Sequence, residues 1–544
     1  MVPEFPALAT RIVDEVLAYD PALAHEAGDH RVDGELPDWG AEAVAARVGM
    51  LRDAADALSS LDVDALDLPE QVDHAQLTNL IDRTLYDLTE VCDHEWDPTA
   101  HNPGGLLYAL LTRPFAPADE RLTSLASRLR QVPDALATAK AVLADCPRVH
   151  LETAVGQFEG TAVLVRDEVP GLLAQAPALA ATVTPAAQAA EAALRDFADW
   201  LRARVAADTG RDPRLGRRIW EGKLWHALDT EIGAAALLRR AYAELDSTTA
   251  ALRQAAAAFT GGDESDATVR DALGRLAAEH PSDATIVDLA RDMFADTSAF
   301  VSQHELVSLV DDPCEILEMP EFSRGVSVAY CDAPGPLESA GLPTFFCIAP
   351  TPASWPPERV ASFYREYNNH MIRNLTVHEA MPGHFLQLAH ARAYRGSSPV
   401  RAATASGPFV EGWAVYAEQM MVEYGYGGLP VRLQQLKMRL RMIINAILDQ
   451  LTHCEDFTEA DAMALMTERG FQEEGEAAGK WRRALLTSAQ LSTYFVGYLE
   501  VSTAAAGRPA GTAVRDWHDA MLAHGSPAPR HLPALLANLS EASR

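Results

Sequence analysis

The sequence has few basic residues for its size and a large excess of acidic ones. Its 544 residues include 45 lysines and arginines against 77 aspartates and glutamates, which gives a formal net charge of −32 at pH 7. A surface with this charge repels polyanions such as nucleic acids and anionic membranes. We therefore expect a soluble protein whose partners include neither nucleic acid nor a membrane.

Cysteines and long apolar runs are also scarce. The six cysteines are scattered and form no Cys-x-x-Cys pair, which favours reduced thiols and argues against a disulfide scaffold or a structural zinc ribbon. The first residues, Met1-Val-Pro-Glu-Phe-Pro6, lack a basic region followed by an apolar core, and no uninterrupted apolar run reaches about 18 residues. We therefore expect a cytoplasmic protein.

Apolar residues recur at three- and four-residue spacing through most of the first 310 residues, which predicts a series of amphipathic helices. After about Asp311 the composition changes, and residues 326–330 and 344–348 form short strand-like runs. Helices resume at Pro357. The sequence thus predicts a mainly α fold in one continuous body, with a helical lobe at residues 1–310 and a catalytic lobe at residues 311–544 that contains a small sheet or hairpin.

The clearest chemical signal is the stretch His378-Glu379-Ala-Met-Pro-Gly-His384. Two imidazoles, with a carboxylate beside the first, can offer ligands to a zinc ion and a base to its water. On an unbroken helix, six residues would leave the two imidazoles roughly 120° apart, against about 40° for the four-residue spacing of the common metalloprotease helix. Pro382-Gly383 predicts a kink that brings His384 back beside His378.

A catalytic zinc site needs three protein ligands and one open position, so a third ligand is expected nearby. Glu411 is the predicted third ligand, because it begins a helix about thirty residues downstream of the motif. Glu418 follows seven residues later, on nearly the same helix face. It could orient a ligand histidine by a hydrogen bond to the ring nitrogen that does not bind the metal. Two histidines and a carboxylate predict zinc, although the same set would accept manganese, iron or cobalt.

Glu379 directly follows a predicted ligand, so its carboxylate is the candidate general base for hydrolysis. Tyr494 and His453 are candidates for donating a hydrogen bond to the oxyanion, and Asp449, one turn before His453, could hold that imidazole. A substrate carboxylate could use positive charge from several cations, although such a run is more often a solvated face. These cations are Arg439, Arg441, Lys480, Arg482 and Arg483.

These residues and their flanks make the sequence similar to the domain of unknown function 885 family, a bacterial group placed in the clan of zincin-like metallopeptidases. The resemblance covers nearly the whole chain and is carried by residues 378–384, 411–418 and 490–497, and by Asp449 with His453. It implies a large helical zincin-like metallopeptidase fold with its small sheet near an active-site cleft.

By residue, the resemblance implies His378, His384 and Glu411 as metal ligands and Glu379 as base. Phe385 departs from the family pattern, since many relatives carry a second histidine at that place. Whether His384 or another group provides the second imidazole therefore stays open.

Three functions are compatible with this sequence. The favoured one is a zinc-dependent hydrolase of amide or peptide bonds in small peptides or peptide-like metabolites. The alternatives are a metal-dependent, non-hydrolytic tailoring enzyme of secondary metabolism, and a non-catalytic helical binding protein. Glu379 favours a hydrolase, because a merely structural metal site does not need a base. Endopeptidase and exopeptidase action are not separable here, and the oligomeric state is open.

Overall fold

Apolar residues at helical spacing produce a mainly α-helical chain with one small sheet in the computed structural model, as the sequence predicts. The structure describes residues 4–207, 209–319, 324, 328–338 and 341–537. The chain divides into two compact units, one of residues 1–215, 334–342 and 396–404, the other of residues 216–333, 343–395 and 405–544. No helix among the described residues has the length and apolarity needed to span a membrane.

The first unit contains nine of the α-helices, numbered here in chain order. They are α1 (Phe5–Tyr19), α2 (Pro21–Ala27), α3 (Ala41–Ser59), α4 (Leu68–Tyr86), α5 (Gly104–Thr112), α6 (Ala118–Val142), α7 (Arg148–Leu173), α8 (Ala180–Ala207) and the short α16 (Val400–Ala403). A large core lies among α6, α7 and α8, where Leu125, Leu129, Phe158 and Phe197 are fully buried. Each such side chain contributes about 1.5–3 kcal/mol of apolar burial.

The second unit contains the motif and the remaining α-helices. They are α9 (Arg217–Leu228), α10 (Ala234–Thr260), α11 (Asp266–Ala277), α12 (Ile286–Gln303), α13 (Pro357–Glu366), α14 (Asn369–Glu379), α15 (His384–Ala393), α17 (Gly407–Glu423), α18 (Gly428–Cys454), α19 (Glu459–Ala464), α20 (Glu474–Leu486), α21 (Thr493–Ala506), α22 (Val514–Leu522) and α23 (Leu532–Leu535). Its main core includes Ile372, Leu386, Phe409 and Trp413, all fully buried.

A three-stranded sheet also belongs to the second unit. Its strands are β1 (Cys314–Glu318), β2 (Ala329–Asp332) and β3 (Thr344–Ile348), in the order β1-β3-β2, with β3 parallel to β1 and antiparallel to β2. The predicted strand at residues 344–348 is confirmed. Of the predicted strand at 326–330, residues 326 and 327 lie outside the described residues, and β2 begins at Ala329. Strand β2 packs against α14, so the sheet lies beside the motif helix.

The division into two units does not fall at the boundary predicted near residue 310 but near residue 215. The change of composition there marks the start of the sheet, whereas α9 to α12 already belong to the second unit. Helix α10 packs along α18, and α12 packs against α14. The helices that carry the motif are therefore supported by segments assigned by sequence to the other lobe.

Helices α17 and α21 approach each other very closely at two glycines. A Cβ atom on Gly412 would lie 2.3 Å from the carbonyl carbon of Gly497, and one on Gly497 would lie 2.1 Å from the carbonyl oxygen of Pro408. Both positions therefore require glycine. This crossing fixes Glu411, next to Gly412, relative to Tyr494 on the first turn of α21.

Candidate metal centre

The two histidines of the motif lie on separate helices. Helix α14 ends at Glu379 and α15 begins at His384, so the chain contains the break that Pro382-Gly383 predicts. A Cβ atom on Gly383 would lie 1.8 Å from the carbonyl oxygen of His378, so only glycine fits there. Nε1 of Trp413 donates a hydrogen bond to the carbonyl oxygen of Pro382 at 2.8 Å and anchors the break to α17.

The break brings both imidazoles to Glu411. Nε2 of His378 and Nε2 of His384 each lie 3.5 Å from Oε2 of Glu411. The two rings are nearly perpendicular, with 4.8 Å between their centroids. Ligand atoms of a tetrahedral zinc, with bonds of about 2.0–2.2 Å, lie about 3.4 Å apart. The two distances to Glu411 match this spacing, and one ligand atom from each of the three residues lies within 4.8 Å of the other two.

An unsatisfied oxygen supports the same interpretation. Oε2 of Glu411 is buried and has no hydrogen-bond partner among the described residues. A buried carboxylate oxygen without a partner carries a large desolvation penalty unless a cation or donor compensates it. The donor set of two imidazoles and one carboxylate thus fits a divalent transition metal.

A carboxylate and an amide support the first histidine. Nδ1 of His378 lies 2.7 Å from Oε1 of Glu418, and Nδ2 of Asn374 donates a hydrogen bond to Oε2 of Glu418 at 2.6 Å. Glu418 and Asn374 are buried. When Nδ1 carries the proton and donates a hydrogen bond to Glu418, the lone pair of Nε2 faces Glu411. Asn374 was not predicted, although it precedes His378 by four residues and so shares its helix face.

The charges of the centre are strongly coupled. Burial opposes protonation of His378, but the carboxylates of Glu411 and Glu418 raise its pKa well above the usual value. Burial likewise opposes ionisation of Glu411, but the two imidazoles outweigh it and hold its pKa well below the usual range. The centre therefore keeps Glu411 ionised and attracts positive charge, which either protons or a metal cation can supply.

Glu379 has no side-chain partner among the described residues. It is the last residue of α14 and is partly buried. Its carboxylate makes no hydrogen bond or ion pair within the described ranges of the chain. A carboxylate beside a metal ligand and free of structural contacts is available to accept a proton from a bound molecule.

Tyr494 lies near enough to Glu411 for the charge of that carboxylate to affect its pKa. Burial and the negative charge of Glu411 raise its pKa, so the phenol stays neutral and can donate a hydrogen bond. Nη2 of Arg483 lies 3.4 Å from its hydroxyl oxygen. The predicted role of Tyr494 as an oxyanion donor is compatible with this position.

His453 and Asp449 have other contacts than those predicted. Nε2 of His453 donates to the carbonyl oxygens of Ala484 and Thr487, at 3.1 and 2.9 Å. Asp449 accepts hydrogen bonds from the indole of Trp220, from the backbone of Ala489 and from Ser492, and not from His453. Both residues thus hold the turn between α20 and α21. The predicted donor and ring-holding contacts are not among these hydrogen bonds.

Phe385 lies on the apolar face of α15. It is buried in the main core, and its ring centroid lies 5.8 Å from that of Phe294. The position that follows His384 thus faces the core in this chain, whereas the His384 ring faces Glu411.

The protein is mainly helical with a small sheet, and it carries a candidate metal centre. In this centre two histidines and Glu411 converge, and Glu379 adjoins the first histidine. The family described as "Bacterial protein of unknown function (DUF885)" matches residues 21–536, and the chain belongs to this family. The predicted family is thereby confirmed. No curated protein matches the chain.

Two solved structures are similar over their full lengths. One is a putative lipoprotein of unknown function from Shewanella oneidensis, 27% identical, with a TM-score of 0.81 over 98% of this chain and 100% of that one. The other is a putative lipoprotein from Colwellia psychrerythraea, 17% identical, with a TM-score of 0.77 over 99% of each chain. The second likeness concerns the fold alone.

Proposed function

We propose that this protein is a zinc-dependent hydrolase of amide or peptide bonds in small peptides or peptide-like metabolites. The observation that carries the proposal is the convergence of His378, His384 and Glu411 beside Glu379, whose carboxylate has no partner among the described residues. Three ligands leave a fourth position open, which is the arrangement of catalytic rather than structural zinc sites. A free base beside the ligands has a use only if a bound molecule gives up a proton.

The roles of the residues follow from their contacts. His378, His384 and Glu411 would hold the cation, which supplies Lewis acidity to a water molecule and to the substrate carbonyl. Glu379 accepts a proton from the attacking water as its oxygen bonds to the carbonyl carbon. The same carboxylic acid then gives that proton to the nitrogen as the carbon–nitrogen bond breaks. The hydroxyl of Tyr494 donates a hydrogen bond to the negative charge that develops on the carbonyl oxygen.

Metal analysis tests whether the protein binds zinc at the proposed site. Purified protein is expected to contain about one zinc ion per chain, since three ligands define one site. His378→Ala should lose the metal, whereas the control His304→Ala, which alters an exposed histidine of the same unit, should retain it. Protein without stoichiometric metal, with unchanged stability in His378→Ala, would instead indicate a binding protein.

Turnover assays test whether the protein hydrolyses amide bonds. A panel of dipeptides and N-acyl amino acids is assayed with and without chelator, and chelation should abolish hydrolysis. Glu379→Gln should keep the metal and lose activity by about 10²–10⁴-fold, whereas Glu358→Gln, an exposed glutamate on α13, should behave as wild type. Hydrolysis that survives chelation contradicts the mechanism. Tight metal binding without cleavage of any amide would favour a non-hydrolytic tailoring enzyme.

A further inference from the structure

Helix α20 carries a buried cation without an acidic partner. Lys480 is 5% exposed, and within the described part of the chain its ammonium group makes no hydrogen bond or ion pair. Burial, together with the positive charges of Arg441 and Arg483, lowers its pKa well below the usual value, against the weaker effect of Glu476. A buried ammonium group in such surroundings is costly, which calls for a ligand that compensates it.

The acidic residues nearby are already paired. Arg441 forms an ion pair with Glu476 and donates to the hydroxyl of Tyr367 at 3.2 Å. Nζ of Lys437 lies 2.8 Å from Oε2 of Glu366, and both side chains are buried. Neither carboxylate is therefore left for Lys480. In a chain with a net charge of −32, this local excess of positive charge is unusual.

Arg483 extends the positive charge toward the candidate metal centre. It follows Lys480 by three residues and so lies on the same face of α20. Its Nη2 atom lies 2.9 Å from Oε1 of Gln490 and 3.4 Å from the hydroxyl of Tyr494. Like Lys480, it has no carboxylate partner among the residues that the structure describes. Tyr494 in turn lies close enough to Glu411 to respond to its charge.

We infer that Lys480 and Arg483 bind a carboxylate of the substrate, so that the protein acts on short peptides or N-acyl amino acids with a free C-terminal carboxylate. This inference rests on the proposed hydrolase function. A guanidinium group can bind both oxygens of a carboxylate, and an ammonium group adds a point charge. Binding of the terminal carboxylate would place the last amide bond of a short substrate toward Tyr494 and the metal ligands.

The kinetic test compares substrates that differ in this one group. Wild-type protein should cleave N-acyl amino acids and dipeptides with a free carboxylate at least about tenfold more efficiently than the corresponding primary amides. Lys480→Met should raise KM for the acids about 10- to 100-fold, with a smaller change in kcat, and remove the preference. Arg432→Met removes an exposed cation of α18 instead and should change neither value.

A binding test separates this inference from the proposed hydrolase function. Glu379→Gln protein, which should not turn over, is titrated calorimetrically with N-acetyl-L-phenylalanine and with its primary amide. The acid should bind at least about tenfold more tightly, and Lys480→Met introduced into this background should abolish the difference. If acid and amide bind equally, the carboxylate site is refuted. If the acid binds selectively but wild-type protein hydrolyses neither compound class, the carboxylate site stands and the hydrolase function fails.

Thermal melting distinguishes a binding residue from a structural one. Removing an uncompensated buried charge should raise the melting temperature of Lys480→Met, because no ion pair is lost with it. Arg483→Lys, which keeps the charge but loses the planar fork, should retain part of the preference for acids. A lower melting temperature together with unchanged preference for acids would assign Lys480 to the support of the fold.

Discussion

Nδ1 of His378 lies 2.7 Å from Oε1 of Glu418, and the other oxygen of that carboxylate accepts a hydrogen bond from Asn374. The three side chains are contributed by two helices, α14 and α17. The ring orientation of His378, a proposed metal ligand, is thus fixed by a buried chain of hydrogen bonds. Such support raises the basicity of the ligand and sets which nitrogen faces the metal.

Glu418→Gln should weaken metal binding about 10- to 100-fold, because the amide neither carries the negative charge nor accepts as strongly from Nδ1 of His378. A competition titration against a chromophoric chelator measures this change. The matched control is Glu423→Gln, an exposed glutamate at the end of the same helix, which should bind metal as wild type does. Equal affinities for both variants would mean that Glu418 does not act through the metal centre.

Gly383→Ala should abolish metal binding and lower the free energy of unfolding by about 3 kcal/mol or more. The added Cβ would lie 1.8 Å from one backbone oxygen and 2.3 Å from another, and backbone atoms cannot rotate away. Gly475→Ala on α20 is the control, since its Cβ would have no neighbour within 4 Å. Denaturant unfolding and metal analysis measure the two effects. A variant with wild-type stability would contradict the tight break seen here.

Metal affinity should fall as pH falls. In the metal-free centre the pKa of His378 is raised by Glu411 and Glu418, so the metal must displace a proton from this imidazole. The proton is more firmly held at lower pH, and the apparent affinity therefore decreases. Calorimetric titration in two buffers of different ionisation enthalpy gives the number of protons released. Binding without proton release near neutral pH would show that His378 is not a ligand.

His30, in the first unit, should make stability depend on pH. Its Nδ1 lies 2.9 Å from Asp33, its Nε2 lies 3.0 Å from Glu338, and its ring stacks on Phe115. Burial opposes protonation, but the two carboxylates outweigh it and raise the pKa from 6.5 to about 9. The stabilisation is therefore complete below pH 6.5 and is lost as pH rises through about 9.

His30→Gln should consequently destabilise the protein by about 1–2 kcal/mol near pH 6 and by much less near pH 10, after allowance for solvent screening of a half-buried ion pair. Urea unfolding of both proteins at the two pH values measures the difference. Wild-type protein serves as the control at each pH. A destabilisation of equal size at both would assign the effect to packing against Phe115 and not to charge.

Local sequence was sufficient for most helices and for the residues that converge at the candidate metal centre. Helix α10 ends at Thr260, where Gly261 adopts the left-handed conformation that commonly terminates helices. The spacing of His378, Glu379 and His384 around Pro382-Gly383 is a local property, so it could be recognised before any packing was known. Helix periodicity and turn residues act over a few positions, and the sequence displays them directly.

Features that depend on distant partners were not predicted. The breaks between α13 and α14 and between α20 and α21 are examples. Asn368 caps α14 by accepting from the backbone of His370 and Met371, and Asp449 holds the turn before α21 from a helix forty residues away. Packing likewise decides which cation has an acidic partner. Arg441 pairs with Glu476, whereas Lys480 has no such partner within the part of the chain that the structure describes.

The glycine crossing of α17 and α21 has a mechanical consequence. Because Gly412 and Gly497 meet through backbone atoms, the backbones at Glu411 and Tyr494 are held at one separation. Any movement that opens the centre must therefore occur in other elements. In the proposed hydrolase, this fixed backbone separation would favour substrates whose carbonyl group fits between Glu411 and Tyr494.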